Sequence, residues 1–321
     1  MRSFARLAKL IVAVLPLAWF GAASAQPWPS KPIELVAAFP AGSASDHAAR
    51  AIARDLSSVL GQPVVVENRP GSGGAIASAA VAKAAPDGYT LLVTAIGPAV
   101  LRPLIDEKVT YDTINDFTPI VLVGETPNVL VTGPKSHFSS VQDVVTFAKR
   151  SPGQLTIGHP GAGTMGHLAA LLFAAEAGIS ANFVAYQGSP LILSDLVGGH
   201  IDLGSIAYGG GAGAVRILAV TTEERPRFLP DVPTMKESNF PNVIASTWHA
   251  VLAPAGLAPD VVSTLNRAIN AFLKKEETRM QFAAVGYGLL GGTPERLRAR
   301  IAADRAKWSV VIRSAKIAVD H

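Results

Sequence analysis

The chain has 321 residues, a formal net charge of +4, no cysteine and 49% hydrophobic residues. The absence of cysteine excludes a disulfide framework, thiolate zinc sites and a lipid-modified N-terminal cysteine, while the length suits one large or two medium domains. The N-terminus holds most of the charge. Arg2, Arg6 and Lys9 precede an apolar run at 10–20, and Ala23-Ser24-Ala25 forms an A-x-A cleavage site before Gln26. This pattern predicts a secretory signal peptide over 1–25, because the apolar run is too short to span a bilayer. Removing its three basic and no acidic side chains takes the charge from +4 to +1. Basic charge therefore makes no case for nucleic acid, and no Lys/Arg run is interleaved with aromatics. The expectation is a soluble protein exported to the periplasm.

After Gln26, residues 33–39 read as a buried strand and 45–60 as a helix, with Ser43 or Ser45 as cap and Asp46 in the first turn. A strand at 64–67 and the glycine-rich turn 68–74 lead to an Ala-rich helix ending near Ala85, then a strand at 89–95. Strands at 116–123 and 129–132 flank Pro127, and a helix follows at 141–149. A strand at 154–157 leads to an amphipathic helix at 164–177, closed by Gly178. Strands at 183–186 and 201–206 enclose a helix at 190–197. Residues 217–222 read as a strand returning to the first unit, and helices at 259–274 and 294–314 begin with proline. The alternation predicts an α/β protein of two lobes, each a mostly parallel sheet flanked by helices. Lobe 1 would comprise 26–124 with 220–321, and lobe 2 would be 125–219.

Two small-residue loops stand out, each between a strand and a helix start: Pro40-Ala41-Gly42-Ser43-Ala44-Ser45-Asp46 and Gly161-Ala162-Gly163-Thr164-Met165-Gly166-His167. Free backbone N–H groups and the positive end of the helix dipole make such a junction a seat for an anion. Two of them suggest one anionic ligand held from two sides. The second loop spells G-x-G-x-x-G, but no Asp or Glu follows at the end of the next strand (183–187), which disfavours a dinucleotide. His159 and His167 lack the spacing of a helical zinc motif and have no carboxylate beside them, so no metal or other cofactor is expected. Ser43, Asp46 and His47 are too crowded to line up as nucleophile, base and orienter, and no G-x-S-x-G elbow is present. Asp46 either satisfies local N–H groups or faces a ligand, and Tyr186 at its strand–helix junction either shapes a turn or reaches the cleft.

Over nearly the whole mature length the chain resembles the extracytoplasmic solute receptors of tripartite tricarboxylate transporters, the Bug-type receptors. The matching pieces are Trp28-Pro29-Ser30-Lys31-Pro32-Ile33, the 40–46 loop, Gly61-Gln62-Pro63-Val64-Val65-Val66-Glu67-Asn68-Arg69-Pro70-Gly71 and Pro86-Asp87-Gly88-Tyr89. Asp116-Phe117, the 161–167 loop, Leu229-Pro230-Asp231-Val232-Pro233-Thr234 and Trp248 with Ala253-Pro254-Ala255-Gly256 continue the series. The resemblance implies a two-lobed, non-enzymatic protein that closes on a small organic carboxylate for uptake or sensing. Its partners would be the transporter's membrane components or a sensor protein. Carried onto this sequence, the ligand contacts fall on Ala41, Gly42, Ser43 and Asp46 from the first loop and Gly161, Gly163 and Thr164 from the second. Tyr186 is a further candidate. The chain departs from the family pattern at Ser43-Ala44, at Gln187, in a shortened 207–213 stretch and in the apolar Ile96-Gly97-Pro98, all on the side that would read the distal part of the ligand. The alternative is an exported enzyme acting on a carboxylated substrate through Asp46, His47 or His167.

Overall fold

The computed structural model describes residues 28–209 and 212–314; the expected export signal lies outside them, as do Gly210 and Gly211. In chain order the elements begin β1 (Ile33–Ala37), α1 (Ala44–Leu60), β2 (Val64–Asn68), α2 (Ala75–Ala82), β3 (Thr90–Ala95) and α3 (Arg102–Ile105). They continue with β4 (Phe117–Thr132), α4 (Val141–Arg150), β5 (Leu155–His159), α5 (Met165–Ala177), β6 (Ala181–Ala185), α6 (Ser189–Gly198) and β7 (Leu203–Ala207). Last come β8 (Arg216–Val220), β9 (Ser246–Pro254), α7 (Pro259–Lys274), α8 (Glu276–Ala284), β10 (Gly288–Leu289) and α9 (Pro294–Ser314). No helix among the described residues is long and apolar enough to cross a membrane.

The strands run in the order β2-β1-β3-β9-β4-β7-β5-β6, with β8 and β10 also paired to β4. Pairing is parallel toward both ends, β2 with β1 with β3 and β6 with β5 with β7. In the middle, β4 and β9 are antiparallel to every neighbour. The expectation of mostly parallel sheets is therefore corrected to a mixed arrangement: β4 and β9 carry the chain out of the first strand set and back, so they run against the strands around them.

β4 is one continuous strand where the sequence suggests two separated by Pro127. Residues 117–127 pair with β9, and 128–132 pair with β7 and β8. Pro127 sits at the change of partner, where a missing N–H costs least, and its carbonyl accepts the Tyr208 N–H at 2.9 Å. β8 is a second correction. It does not return to the first unit but pairs with Val129–Thr132, and 221–245 stays beside it: Ala245 N–H donates to the Thr221 carbonyl, and Met235, Phe240 and Val243 pack with Phe173. The return is β9, a strand the sequence reading left out.

The first strand set is covered on one face by α1 and α7 through Ile52, Leu56, Leu265 and Ile269. On the other face α2 and α9 pack over Val36, Leu92 and Trp248, and Trp248 Nε1 donates to Asp304 at 2.7 Å. Met165, Leu168 and Ala169 of α5 belong to this same cluster, while Ala170, Phe173 and Ala177 pack on the second strand set. The start of α5 is therefore buried all round rather than amphipathic, since it is wedged between two cores. Met165 and Leu168, both nearly inaccessible, contribute on the order of 2 kcal/mol each.

Candidate functional site

The loop 40–43 joins β1 to α1. Ser43 is the N-cap, its Oγ accepting the Asp46 N–H at 3.2 Å. Both oxygens of Asp46 are committed: Oδ2 accepts Gly42 N–H at 3.0 Å and Arg50 Nε–H at 2.9 Å, and Oδ1 accepts from Asn68 Nδ2 at 2.8 Å. Burial pushes this carboxyl upward, but the Arg50, Gly42 and Asn68 donors outweigh it and hold it below its ordinary range. Asp46 thus fixes the loop from within.

The second loop joins β5 to α5, and here neutral groups do the fixing. Thr164 is the N-cap: its Oγ1 accepts the His167 N–H at 3.2 Å and donates to the Gly161 carbonyl at 2.8 Å. The Gly163 N–H reaches His167 Nδ1 at 3.3 Å, which requires a neutral ring with Nδ1 as acceptor. His167 stacks on His159 with centroids 4.1 Å apart. Burial lowers His159 to about 4, and burial with the neighbouring His159 and Arg102 lowers His167 to about 3.

The second loop packs against α3 and the glycine-rich turn before α2. Gly163 has φ +75°, and a Cβ there would lie 2.8 Å from Arg102 Cδ and 3.1 Å from Arg102 Cα. Arg102 Nη1 donates to the Ala162 carbonyl at 3.0 Å and its other terminal nitrogen pairs with Asp106. A Cβ on Gly73 would overlap that same Ala162 carbonyl. Only glycine allows this approach.

Between the helix tips lies a narrow inner chamber, with about 40 Å³ for the centres of water-sized groups. Ser43, Ala44 and Ser45 line it from α1, and Thr164, Met165 and Gly166 from α5. In each helix the capping hydroxyl takes the third N–H and the cap carbonyl the next. The first two, those of Ala44 and Ser45 and of Met165 and Gly166, have no acceptor among the described residues. Four amides from two helix starts therefore converge on one chamber, the arrangement that receives an oxyanion. An outer chamber of about 220 Å³ continues past Gly42, Ser43 and Ala44 to His47, Leu193 and Tyr208.

The candidate residues from the sequence separate on this geometry. Ser43 and Thr164 line the inner chamber, and Gly42 lines the outer one. Ala41 is exposed and lines neither, and Asp46 faces its own loop. Gly161 and Gly163 are buried against Gly73 and Arg102 and shape the loop. Tyr186 donates its hydroxyl to Asp195 at 2.6 Å, and burial followed by that carboxylate pushes its pKa up to about 12. It lines neither chamber. The sequence reading left out Ala44, Ser45, Met165, Gly166, Ser189, Thr247 and His249, which also line the inner chamber. The four amide donors were within reach, because a cap that takes the third N–H leaves the first two without an intrahelical partner. Thr247 and His249 required knowing β9.

Asp46, His47 and His167 are not brought together: Asp46 is committed as above, His47 is exposed, and His167 lines a separate cavity with His159, Asn182 and Phe183. Among the described residues no group of three or more metal-ligating acidic, His or Cys side chains occurs.

The architecture is that of the α/β periplasmic binding proteins. The chain aligns over 91% of its length with the adipate-bound Rpa4515 of R. palustris, covering 99% of that chain, at TM-score 0.87 and 33% identity. The malate-bound MatC (Rpa3494) of Rhodopseudomonas palustris covers 89% of this chain and all of its own, at TM-score 0.85 and 27% identity. Residues 48–317 match the model of the tripartite tricarboxylate transporter family receptor, and BugT of Bordetella pertussis is 36% identical over 296 residues, 90% of this chain and 91% of BugT. The protein belongs to the tripartite tricarboxylate transporter receptor family, the Bug-type periplasmic solute-binding proteins.

Proposed function

We propose that this receptor captures a small organic carboxylate between two lobes that close around it, for delivery to a transporter or a sensor. The observation that carries this reading is the convergence of four unpaired amides, two from α1 and two from α5, on one inner chamber. A carboxylate there gains charge-assisted hydrogen bonds without any cationic side chain. The adipate and malate bound by the two solved relatives are acids of this class.

The lobes we infer are, among the described residues, 28–127 with 246–314, and 128–245. This keeps the sequence-based division but moves its return from 220 to about 245, following the pairing of β8. β4 and β9 are the crossing strands, and Pro127 opposite Ser246 is their last shared pair, a natural hinge. Contacts made only in the closed form, such as Arg102 to Ala162, would bias the equilibrium toward closure once the anion bridges both tips. Export would use the segment 1–25, and the closed form would be what membrane partners of the transporter recognise. Capture without chemistry is part of this reading, and it is supported by Asp46, His47 and His167 lying apart.

The test is thermal unfolding of the mature chain with mono-, di- and tricarboxylates. A bound acid at a hundred times its dissociation constant should add about 2.7 kcal/mol of stability. If no acid moves the midpoint, the reading fails; if a bound acid is consumed on incubation, the protein is an enzyme.

A further inference from the structure

The floor of the inner chamber holds a side chain that the anion seat does not use. His249 of β9 lines the chamber and is 2% exposed. Neither ring nitrogen has a hydrogen-bond partner among the described residues, and Nδ1 is sealed from solvent. The ring is held in place. Its strand neighbours are Ala95 and Gly124, and it stacks on Tyr287 with centroids 5.2 Å apart at 27°. The stack exists because Gly124 has no side chain: a Cβ there would lie 2.6 Å from the Tyr287 ring. Burial lowers the imidazole to about 3, so the ring is neutral.

A neutral imidazole carries one N–H and one lone pair. A buried N–H without an acceptor is rarer and costlier than a buried lone pair without a donor. The proton therefore belongs on Nε2, the nitrogen that is not sealed from solvent. Thr247 already donates its hydroxyl to Asn128 at 2.6 Å, and the remaining hydroxyls that line the chamber, those of Ser43, Ser45 and Ser189, belong to helix starts. No Lys or Arg lines either chamber among the described residues. A second carboxylate at the floor would be buried without counter-charge, whereas a hydroxyl or carbonyl oxygen would satisfy Nε2–H. The inner chamber is narrow, which suits a short acid.

We propose that His249 is a specificity-determining residue whose Nε2–H donates to a neutral oxygen of the ligand, so that the inner chamber selects short hydroxy- or oxo-carboxylates. This rests on the carboxylate seat proposed above. The test is calorimetric affinity of the mature protein at pH 7 for propionate, lactate, pyruvate and malonate, with His249→Phe and His249→Gln. Lactate or pyruvate should bind about tenfold or more tighter than propionate, and malonate should be weakest. In His249→Phe that preference should shrink to about twofold. His249→Gln, which keeps an N–H donor, should retain part of the preference; should His249→Phe fail to fold, His249→Leu replaces it, where a preference equal to wild type overturns the proposal and a reduced one supports it. Malonate binding tightest, an intact preference in His249→Phe, or binding confined to longer acids also overturns it, leaving the seat standing. If no acid of any length binds, the seat itself is what fails.

Discussion

The two loops that face each other across the cleft reach the same end by opposite means. The first is tied by a buried carboxylate and lies partly exposed: Asp46 collects Gly42, Asn68 and Arg50, all from its own half of the molecule. The second is buried and tied by neutral groups, the Thr164 hydroxyl and the stacked His159 and His167, and it leans on the other half through Arg102 and Gly73. The first loop is thus held by groups of its own strand set, whereas the second is held in part by groups of the other set.

The sharpest way to break this contrast is Gly163→Val. A branched side chain at φ +75° is strained and would collide with Arg102, so stability should fall by about 3 kcal/mol and carboxylate affinity by about a hundredfold or more. Thermal unfolding and calorimetry check both. Wild-type affinity in this variant would mean that the second loop does not approach Arg102 in the bound form.

Next in size is Asp46→Ala, which leaves the Gly42 N–H, Asn68 and Arg50 without their acceptor. The expected loss is about 2 kcal/mol, with the Arg50 share discounted because that side chain is half exposed. Because the folded carboxyl lies below its ordinary range, its contribution is full above about pH 4 and lost as pH falls below that value. The variant should show a shallower acid limb in urea unfolding.

The histidine pair loses stability in a different window. With His159 lowered to about 4 and His167 to about 3, their contribution is complete above about pH 6.5 and is lost as pH falls toward 4. Each can add a slope of up to about 1.4 kcal/mol per pH unit. His159→Phe should keep the stacking surface and remove one histidine's share, and His249 keeps part of the slope in place. An unchanged slope would place the titration elsewhere.

The two caps sharpen the contrast at smaller amplitude. Ser43→Ala and Thr164→Val should each cost about 1 kcal/mol of stability. Thr164 already donates its proton to Gly161, while Ser43 has no acceptor among the described residues. Carboxylate affinity should therefore fall more in Ser43→Ala, by about tenfold, than in Thr164→Val; equal losses would erase the distinction. Smallest of all is Tyr186→Phe, whose hydroxyl serves Asp195 outside the cleft, with affinity expected within about twofold of wild type.

Much of this architecture is written locally. The export pattern, the strand–loop–helix junctions at 40–46 and 160–167, and the caps Ser43 and Thr164 follow from apolar runs, hydroxyls and glycines within a few residues of each other, because helix starts and tight turns are short-range chemistry. The sequence alone therefore pointed to two anion seats and to the receptor family. It did not reveal that Pro127 sits inside one strand, that β8 stays with the second set, or that β9 returns between β3 and β4, since partner choice in a sheet depends on residues more than a hundred positions away. Nor could it tell that Asp46 turns inward while His249 lines the chamber floor. Which way a polar side chain faces is decided by what surrounds it, and those surroundings exist only once the two strand sets are packed together.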